Sequence, residues 1–386
     1  MATMDAPWMK KSNLEEWLKT PVLEVMLKDA QLNGDNYLSS MYRMRVKTKQ
    51  GEKALIVKCR LQNTDAADAF EETSIFKKEA EMYWNTLPKL EKLLTLANQG
   101  EIEPLAPQCI YSCKDFLVME DLSVDGYKML ERYQGLNLEQ CLTVMRTLAR
   151  FHAASVVLHE QDPQSMEEYD LSFFVETSLL QGWTTYFQGM INMLIEEMES
   201  WPAAQWKPYI EKLRHVQKDF MERLLQCVHR DNSDFNVLIH GDLWTNNILF
   251  RGDAARFIDF QLVHYSSPAL DLRLFLATSP NMDVRINHSD RLIQEYHSIL
   301  CSTLTALGSK KFITLEELYQ MYRDKGFYGI FGIASEAAVM TAHPNCGFNL
   351  DEAIKGRTPG PQMYSDFFRD IVKLEFPILD KIGAFH

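Results

Sequence analysis

The stretch Asn236–Phe250 places a polar loop between two short apolar runs. The loop contains a His-Gly-Asp motif that ends at Asp242, followed by Asn247, and Asp259 comes after a glycine-containing turn. This layout is typical of a phosphoryl-transfer site, in which one carboxylate orients a hydroxyl while an Asn and a second carboxylate hold Mg²⁺. We therefore predict that Asp242 is the catalytic residue, that Asn247 and Asp259 are the metal ligands, and that His240 holds the loop by hydrogen bonds. An ordinary polar loop between strands is the alternative, and the fixed spacing argues against it.

The composition narrows the remaining classes of function. The net charge of −13 argues against nucleic acid as a partner, although it does not exclude a nucleotide bound with a metal ion. Seven scattered cysteines without a CxxC pair favour neither a disulfide framework nor a zinc site, and they favour a cytoplasmic location. Residues 1–7 lack the apolar region of a signal peptide, and we expect no membrane-spanning segment.

The first third of the chain contains the strand patterns. We predict two short helices over residues 12–30, the second beginning at Pro21, and then strands at Tyr42–Thr48 and Ala54–Lys58. In a kinase, the loop before such a hairpin covers the phosphates and the lysine grips them. That reading assigns Asn36 and Ser39 to the phosphate loop and Lys58 to the phosphates. A surface hairpin without function is the alternative, because this loop has one glycine and no glycine-rich fingerprint.

A helical pattern from Asp65 to about Leu90 offers glutamates that could pair with Lys58. We choose Glu79 because it lies mid-helix between apolar residues, whereas a solvated charged face is the alternative. Two further strands, Ala106–Tyr111 and Phe116–Met119, lead to Glu120-Asp121-Leu122. Backbone groups from Glu120 to Leu122 are expected to meet an adenine edge.

Residues beyond this point are read as helical. The helix Leu138–Leu158 contains His152, which we interpret as a core residue rather than a catalytic one. Aromatic residues between 172 and 228 are expected to be core or to line an apolar substrate pocket. Pro268 is predicted to begin a helix, and Tyr364–Leu379 forms a last amphipathic helix that Pro377 interrupts. The pattern predicts an α+β protein of two lobes, a nucleotide-binding lobe at 1–121 and a helical lobe at 122–386.

Two departures from the protein-kinase pattern indicate a small acceptor. Gly241 stands where protein kinases have the arginine that reads a phosphorylated activation loop. Asp259 is followed so soon by Pro268 that no peptide-docking segment fits between them. The sequence therefore predicts a small-molecule kinase that uses ATP and Mg²⁺, with an alcohol as acceptor.

The His-Gly-Asp motif with Asn247 resembles the aminoglycoside phosphotransferase and choline kinase superfamily. Four longer strings, at residues 117–122, 235–247, 259–263 and 267–272, resemble one branch, the ecdysteroid kinase-like family of arthropods. The resemblance covers roughly residues 30–345. It implies a protein-kinase-like fold of two lobes, ATP and Mg²⁺, and transfer of the γ-phosphate to a hydroxyl of an ecdysteroid or of a dietary toxin undergoing detoxification. It also implies that Lys58 and Glu79 form an ion pair and that Asp271 supports the catalytic loop.

Three hypotheses remain open at this level. The first is a kinase for a neutral or weakly polar secondary alcohol. The second is a catalytically silent protein of the same fold that binds a ligand, which the presence of all four expected site residues argues against. The third is a kinase for a cationic acceptor of the choline or aminoglycoside type, with which the acidic composition is compatible. The oligomeric state stays open.

Overall fold

The structure, a computed structural model, describes residues 6–29, 39–60, 73–177, 181–202, 204–231, 235–343 and 346–386. Its N-terminal part contains a five-stranded antiparallel sheet in the order β1-β2-β3-β5-β4. The elements are α1 (Lys11–Leu18), β1 (Val22–Asp29), β2 (Ser39–Thr48), β3 (Gly51–Arg60), α2 (Ile75–Glu81), α3 (Leu87–Asn98), β4 (Cys109–Ser112) and β5 (Phe116–Glu120).

Strand β3 is central in this sheet, and its two faces lie against different parts of the protein. Leu55 and Val57 are buried in a small apolar cluster with Trp8 and Leu14 of the N-terminal segment. Ile56 and Lys58 alternate with them and therefore face the other side of the sheet, because successive side chains of a strand point in opposite directions. The strand pattern read from the sequence thus aims Lys58 away from the small cluster.

The prediction of a second N-terminal helix, beginning at Pro21, is wrong. Residues from Val22 onward form β1, which pairs antiparallel with β2 in a register that joins Val25 to Val46 and Leu27 to Met44. The spacing of apolar residues in this stretch suits either a helix or a strand. Pairing at the edge of the sheet decides for the strand, because it satisfies the backbone and packs Val25 and Leu27 on the small cluster.

The predicted helix before residue 90 is described from Ile75 onward; Glu71 and Glu72, which belong to the same pattern, lie outside the described residues. Helix α2 continues through a π-helical turn, Met82–Thr86, into α3. One continuous helical segment therefore reaches Asn98. Glu79 lies in its first part and is buried.

The remainder is mostly helical. Two antiparallel ribbons, β6–β9 and β7–β8, lie within it in addition to the predicted helices. The elements are α4 (Leu138–Gln161), α5 (Phe173–Thr177), α6 (Gln181–Glu199), α7 (Lys207–Val216), α8 (Phe220–Val228), β6 (Val237–Ile239), β7 (Ile248–Arg251), β8 (Ala254–Phe257), β9 (His264–Ser266), α9 (Ala269–Thr278), α10 (Met282–Asn287), α11 (Ser289–Leu307), α12 (Leu315–Asp324), α13 (Gly326–Phe331), α14 (Ala338–Met340), α15 (Leu350–Ala353) and α16 (Asp366–Lys381).

Helix α4 is the central core helix. It is 24 residues long and, among the described residues, it is the one helix long and apolar enough to cross a membrane by length and composition. However, 89% of its apolar window is buried inside the protein, where it packs on α11 and β6.

The predicted interruption of the last helix at Pro377 is also wrong, since α16 runs from Asp366 to Lys381 with Pro377 inside it. Pro377 lies on the exposed face of the helix. The opposite face buries Phe368, Phe376 and their neighbours, and this packing outweighs the backbone hydrogen bond that a proline removes. An α+β fold with a sheet-containing lobe and a helical lobe is confirmed. The exact lobe boundary at residue 121 stays a prediction.

Candidate active site

A cavity of about 550 Å³ lies between the N-terminal sheet and the helical lobe. One half is lined by the sheet and by the stretch that follows β5, including Met41, Ile56 and Leu122. The other half is lined by aromatic side chains of α5, α6 and α13. Asp242 and Asp259 line it as well. The cavity therefore connects the predicted nucleotide side to the predicted acceptor side.

Lys58 forms the ion pair predicted with Glu79. Its Nζ atom lies 2.7 Å from Glu79 Oε1 and 2.8 Å from Asp259 Oδ1. Burial alone opposes a charge on Lys58, but the two carboxylates outweigh it and raise the pKa of the amine. Burial also raises the pKa of Glu79. Lys58 is therefore a fixed cation inside the cavity, and Asp259 holds it as firmly as Glu79 does, which sequence reasoning missed.

The connection after β5 contains one backbone N–H group that is available for the predicted contact with adenine. The Glu120 N–H donates to the Gln108 carbonyl at 3.0 Å and the Asp121 N–H donates to the Ala54 carbonyl at 2.9 Å. The Leu122 N–H opens a short 3₁₀ turn, where an unpaired donor is normal, and it has no partner among the described residues. This is the group best placed for the adenine contact predicted here.

The Glu120 side chain does not serve that contact. Its Oε1 accepts from the Gln108 N–H at 2.9 Å and from Arg256 at 3.0 Å. Asp121 is likewise engaged, because it lies 2.9 Å from Arg43 and accepts from the Ser123 N–H. Only the backbone of this stretch is left to meet a base.

The structure describes one of the two residues assigned to the predicted phosphate loop. Asn36 lies outside the described residues. Ser39 is buried at the start of β2 and lines the cavity. Two residues later, Met41 stands opposite Lys58 in the β2–β3 register, so the beginning of β2 lies beside the lysine.

The catalytic loop connects the two ribbons of the helical lobe. Asp242 follows β6, and Asn247 ends a 3₁₀ turn just before β7. Asn247 Nδ2 donates to both the Asp242 carbonyl and Asp242 Oδ2, each at 2.8 Å. Burial, together with nearby Asp259 and Glu336, raises the pKa of Asp242 well above its usual range. The amide of Asn247 thus fixes the direction of the Asp242 carboxylate.

Asp271 anchors the start of this loop from the first turn of α9, as the resemblance implied. Its Oδ2 accepts from the His240 N–H at 2.7 Å, and its Oδ1 accepts from the Gly241 N–H at 2.9 Å. His152 Nε2 lies 3.1 Å from Oδ2, and His152 Nδ1 lies 2.8 Å from the Tyr296 hydroxyl. Although burial acts to raise the pKa of Asp271, these hydrogen bonds and the nearby histidines lower it. His152 is a buried supporting residue, in keeping with the core interpretation.

His240 holds the loop as a neutral imidazole. Its Nε2 donates to the Ile258 carbonyl at 3.0 Å, and its Nδ1 accepts from the Asp242 N–H at 3.3 Å. Burial lowers the pKa of His240. One ring nitrogen therefore donates and the other accepts, and the ring connects the catalytic loop to the residue before Asp259.

Gly241 fits a position that excludes a side chain. Its φ of 78° lies in the left-handed region, and a Cβ atom there would stand 2.2 Å from the Leu262 carbonyl oxygen. The absence of the arginine found in protein kinases thus has a steric cause in this chain. Asp259 also has a positive φ, 66°, which turns the chain sharply into the Phe260–Leu262 3₁₀ turn.

The residues present suit a magnesium ion. Asp259 keeps 29% of its side chain exposed, and Asn247, with its amide nitrogen committed to Asp242, has its oxygen as the remaining ligand atom. Oxygen donors of this kind suit Mg²⁺, which takes one or two carboxylates and completes its shell with phosphates and water. Among the described residues, no group of three or more His, Cys, Asp or Glu side chains is placed to hold a metal ion.

Part of the aromatic 172–228 region lines the cavity, and the prediction that it forms a substrate pocket stays a prediction. Phe174 stands edge-on to Phe331 with ring centroids 5.1 Å apart, and Phe173 stands edge-on to Trp183 at 5.0 Å. All four residues line the cavity. They form its walls and belong to the core at the same time.

Glu336 is a cavity residue that sequence reasoning missed. It lies in a π-helical turn, Gly332–Ala337, between α13 and α14. A signal was present, because Glu336 is the single charged residue between Phe327 and Met340. Glutamate is seldom placed in so apolar a helix unless it has a partner or a function.

The paired lysine and glutamate of the sheet, together with the Asp-Asn loop beneath them, define a kinase-like protein. The chain matches the model of the ecdysteroid kinase-like family over residues 33–309. It therefore belongs to the ecdysteroid kinase-like family.

More distant similarities are weak. A curated relative from Caenorhabditis elegans, an uncharacterized oxidoreductase dhs-27, is 21% identical over 333 residues, which are 77% of this chain and 38% of that protein. The chain thus spans less than half the length of that relative.

Among solved structures, a choline kinase from Cryptosporidium parvum has 12% identity and a TM-score of 0.47, with 93% of this chain and 91% of that chain covered. An ethanolamine kinase from Plasmodium vivax has 15% identity and a TM-score of 0.43, covering 96% and 86%. Scores this low identify neither a substrate nor a cofactor for this chain.

Proposed function

We propose that the protein is a phosphotransferase that moves the γ-phosphate of ATP, with Mg²⁺, to a hydroxyl of a small molecule with an apolar body. One observation carries this proposal. A single cavity contains the Lys58–Glu79–Asp259 cluster, the Asp242–Asn247 pair and the aromatic walls of α5 and α6. Membership in the ecdysteroid kinase-like family supports it.

Each of the site residues has a separate role in the proposed reaction. Lys58 binds the phosphates of ATP, and the Leu122 N–H receives the adenine edge. Asp242 accepts the hydrogen bond of the acceptor hydroxyl and orients its oxygen towards the γ-phosphorus. The new bond joins that oxygen to phosphorus, the bond to the bridging oxygen of ADP breaks, and the hydroxyl proton leaves through the Asp242 carboxylate. The aromatic walls exclude water from the acceptor oxygen.

Asn247 and Asp259 would hold Mg²⁺ through their side-chain oxygens. When bound, the ion neutralises charge on the phosphates. Because Asp259 also pairs with Lys58, it connects the metal position to the phosphate-binding lysine. Because Asn247 also holds Asp242, it connects the metal position to the acceptor side.

We further propose ecdysteroids and dietary or xenobiotic secondary alcohols as the acceptor classes, with detoxification as one use of the reaction. Support comes from the largely apolar lining of the cavity on the acceptor side, which suits a molecule with a hydrophobic skeleton. We also propose a cytoplasmic location, which the seven free thiols support.

The test is incubation with labelled ATP and Mg²⁺ against a panel of ecdysteroids, plant secondary alcohols, choline and aminoglycosides. Asp242→Asn should abolish transfer to the best acceptor while Mg-ATP still raises the melting temperature, since a bound ligand stabilises the fold. Asp253→Asn is the matched control. It makes the same substitution on the exposed tip of the β7–β8 hairpin, away from the cavity, and should retain full transfer.

Two outcomes would overturn the proposal. Wild-type turnover by the Asp242→Asn variant would remove Asp242 from the reaction. No melting shift of the wild type at millimolar Mg-ATP would instead favour a protein that binds ligands without phosphorylating them.

A further inference from the structure

Glu336 has no assigned partner in its surroundings. Among the described residues it has neither a hydrogen bond nor an ion pair, although its side chain is half-buried at the wall of the cavity. The π-helical turn that carries it packs against α6 on one side and α9 on the other. Gly332 makes this packing close, since a Cβ there would stand 3.0 Å from Ala277 Cβ. The position of Glu336 is therefore fixed by the fold.

Among the described residues, none of the basic side chains that line the cavity forms an ion pair with Glu336. The three basic residues that line the cavity, Arg43, Lys58 and Lys128, belong to the sheet or to the segment after β5. Arg43 is paired with Asp121 and Lys58 with two carboxylates. Asp242 and Glu336 thus line the same cavity, and among the described residues neither of these carboxylates has an ion pair with a basic side chain.

This arrangement costs energy in the absence of a ligand. Burial raises the pKa of Glu336 to about 7, and no nearby cation counteracts that effect. A half-buried carboxylate without a partner is less favourable than a paired one, so a ligand that fills the cavity and brings its own positive charge stabilises it. Leucine would avoid this cost altogether, and a ligand that pairs with the acid gives a reason for the glutamate.

The aromatic walls favour the same kind of ligand. Trp183, Tyr186 and Phe187 project from the helix that packs on the π-helical turn, and all three line the cavity. The faces of aromatic rings attract cations, most strongly where water is excluded. A carboxylate beside such rings is suited to an alkylammonium group, whose carbon atoms contact the rings while its charge meets the acid.

We propose that Glu336 is a specificity-determining residue of the acceptor site, and that it binds a protonated amine on the alcohol that receives the phosphate. This inference rests on the proposed function for the identity of the pocket. Among the proposed secondary alcohols, it favours those that carry an amine, with the hydroxyl at Asp242 and the ammonium group at Glu336. Neutral polyhydroxylated alcohols would use the same chamber less favourably.

The test compares two probes that differ only in charge. In 1-benzylpiperidin-4-ol the ring carries a basic nitrogen, and in 4-benzylcyclohexanol a CH group replaces that nitrogen. Binding of each is measured by calorimetry to the full chain saturated with Mg-ADP, at about pH 8 so that both the acid and the amine are charged. The wild type should bind the amine about tenfold more tightly than its carbon analogue.

Glu336→Gln should bind both probes with nearly equal affinity while its affinity for the carbon analogue stays unchanged, which shows that the chamber is intact. Glu222→Gln is the charge-matched control, because it removes one carboxylate from an exposed position of α8, away from the cavity, and should keep the tenfold preference. Glu336→Asp provides a second variant that retains the charge and should retain part of the preference.

Equal binding of the two probes by the wild type, no binding of either, or a preserved preference in Glu336→Gln would each overturn the proposal. Phosphoryl transfer to both probes is measured separately from labelled ATP. A charge preference, with no transfer to the probes or to any alcohol of the panel, would refute the proposed function and leave the role of Glu336 as an amine-binding residue standing. Transfer without a charge preference would refute the role of Glu336 and leave the proposed function standing.

Discussion

Gly241→Ala is expected to damage both the stability and the chemistry of the catalytic loop. The new Cβ would stand 2.2 Å from the Leu262 oxygen and 2.8 Å from the Leu262 carbonyl carbon. Both neighbours are backbone atoms, so a side-chain rotation cannot relieve the overlap. Gly252 offers a matched control, because its φ is also positive, 58°, but a Cβ there has nothing within 4 Å.

The control isolates the cost of the backbone conformation. A left-handed φ costs a residue with a Cβ roughly 1–2 kcal/mol, and replacing glycine by alanine returns about 0.4–1 kcal/mol through the unfolded chain. Gly252→Ala should therefore lose about 1 kcal/mol or less. At Gly241 the loop must also move, which breaks the 2.9 Å hydrogen bond from its N–H to Asp271. A buried donor left unpaired costs about 1–3 kcal/mol, so the total loss should be about 3 kcal/mol.

Urea denaturation measures both losses, and transfer of labelled phosphate to the best alcohol of the panel measures the chemistry. Gly252→Ala should keep wild-type turnover. Gly241→Ala should lose at least about a hundredfold in turnover, because Asp242 is the next residue and a displacement of about 1 Å is sufficient for such a loss. If the two variants are equally stable and equally active, the claim that Gly241 is sterically required is refuted.

Three other predictions concern the groups around the loop. Lys58→Met should destabilise the protein by about 3 kcal/mol, because it leaves Glu79 buried without its cation, and adding Glu79→Gln should restore stability without restoring the melting shift with Mg-ATP. If Lys58→Met alone is as stable as the wild type, this prediction is wrong. Asp271→Asn should cost about 3 kcal/mol in urea denaturation, since an amide can accept from fewer of the three donors around it, and an unchanged unfolding midpoint would count against the anchoring role. His264 has a pKa lowered by burial to about 4. Since this value lies below the unfolded pKa of about 6.5, its contribution is complete above pH 6.5 and falls as the pH decreases towards 4. Between pH 7.5 and pH 5, the free energy of unfolding of His264→Gln should therefore fall by about 2 kcal/mol less than that of the wild type. Parallel plots of unfolding free energy against pH would show that the pKa of His264 is not lowered.

The catalytic loop could be predicted from the sequence because its geometry is local. Asp242 and Asn247 are joined within one short loop, and Asp259 follows after a single hairpin, so the spacing alone brings the three together. The Lys58–Glu79 pair needed more, namely the order of a strand and the helix after it. It was still predictable, because a kinase-like order of elements leaves few glutamates within reach of the lysine.

Other features depend on contacts that spacing does not reveal. The edge strand β1 competes with a helix of similar pattern, and only its pairing with β2 decides between them. The bond between His152 and Asp271 joins two helices 119 residues apart in the chain. Glu336 lies in a π-helical turn and lines the cavity, and no periodicity argument anticipates such a turn.

The structure also gives a physical reason for the missing switch. After Asp259 the chain forms a 3₁₀ turn, Phe260–Leu262, and then β9, which pairs with β6 directly before the catalytic loop. Asp271 holds the other side of that loop through the His240 and Gly241 amides. Both sides of the loop are thus fixed by the fold itself, and the steric limit at Gly241 removes any place for a regulatory arginine. Under the proposed function, the remaining variable at this site is the acceptor, and we expect its fit to the aromatic walls and to Glu336 to decide whether a hydroxyl reaches Asp242.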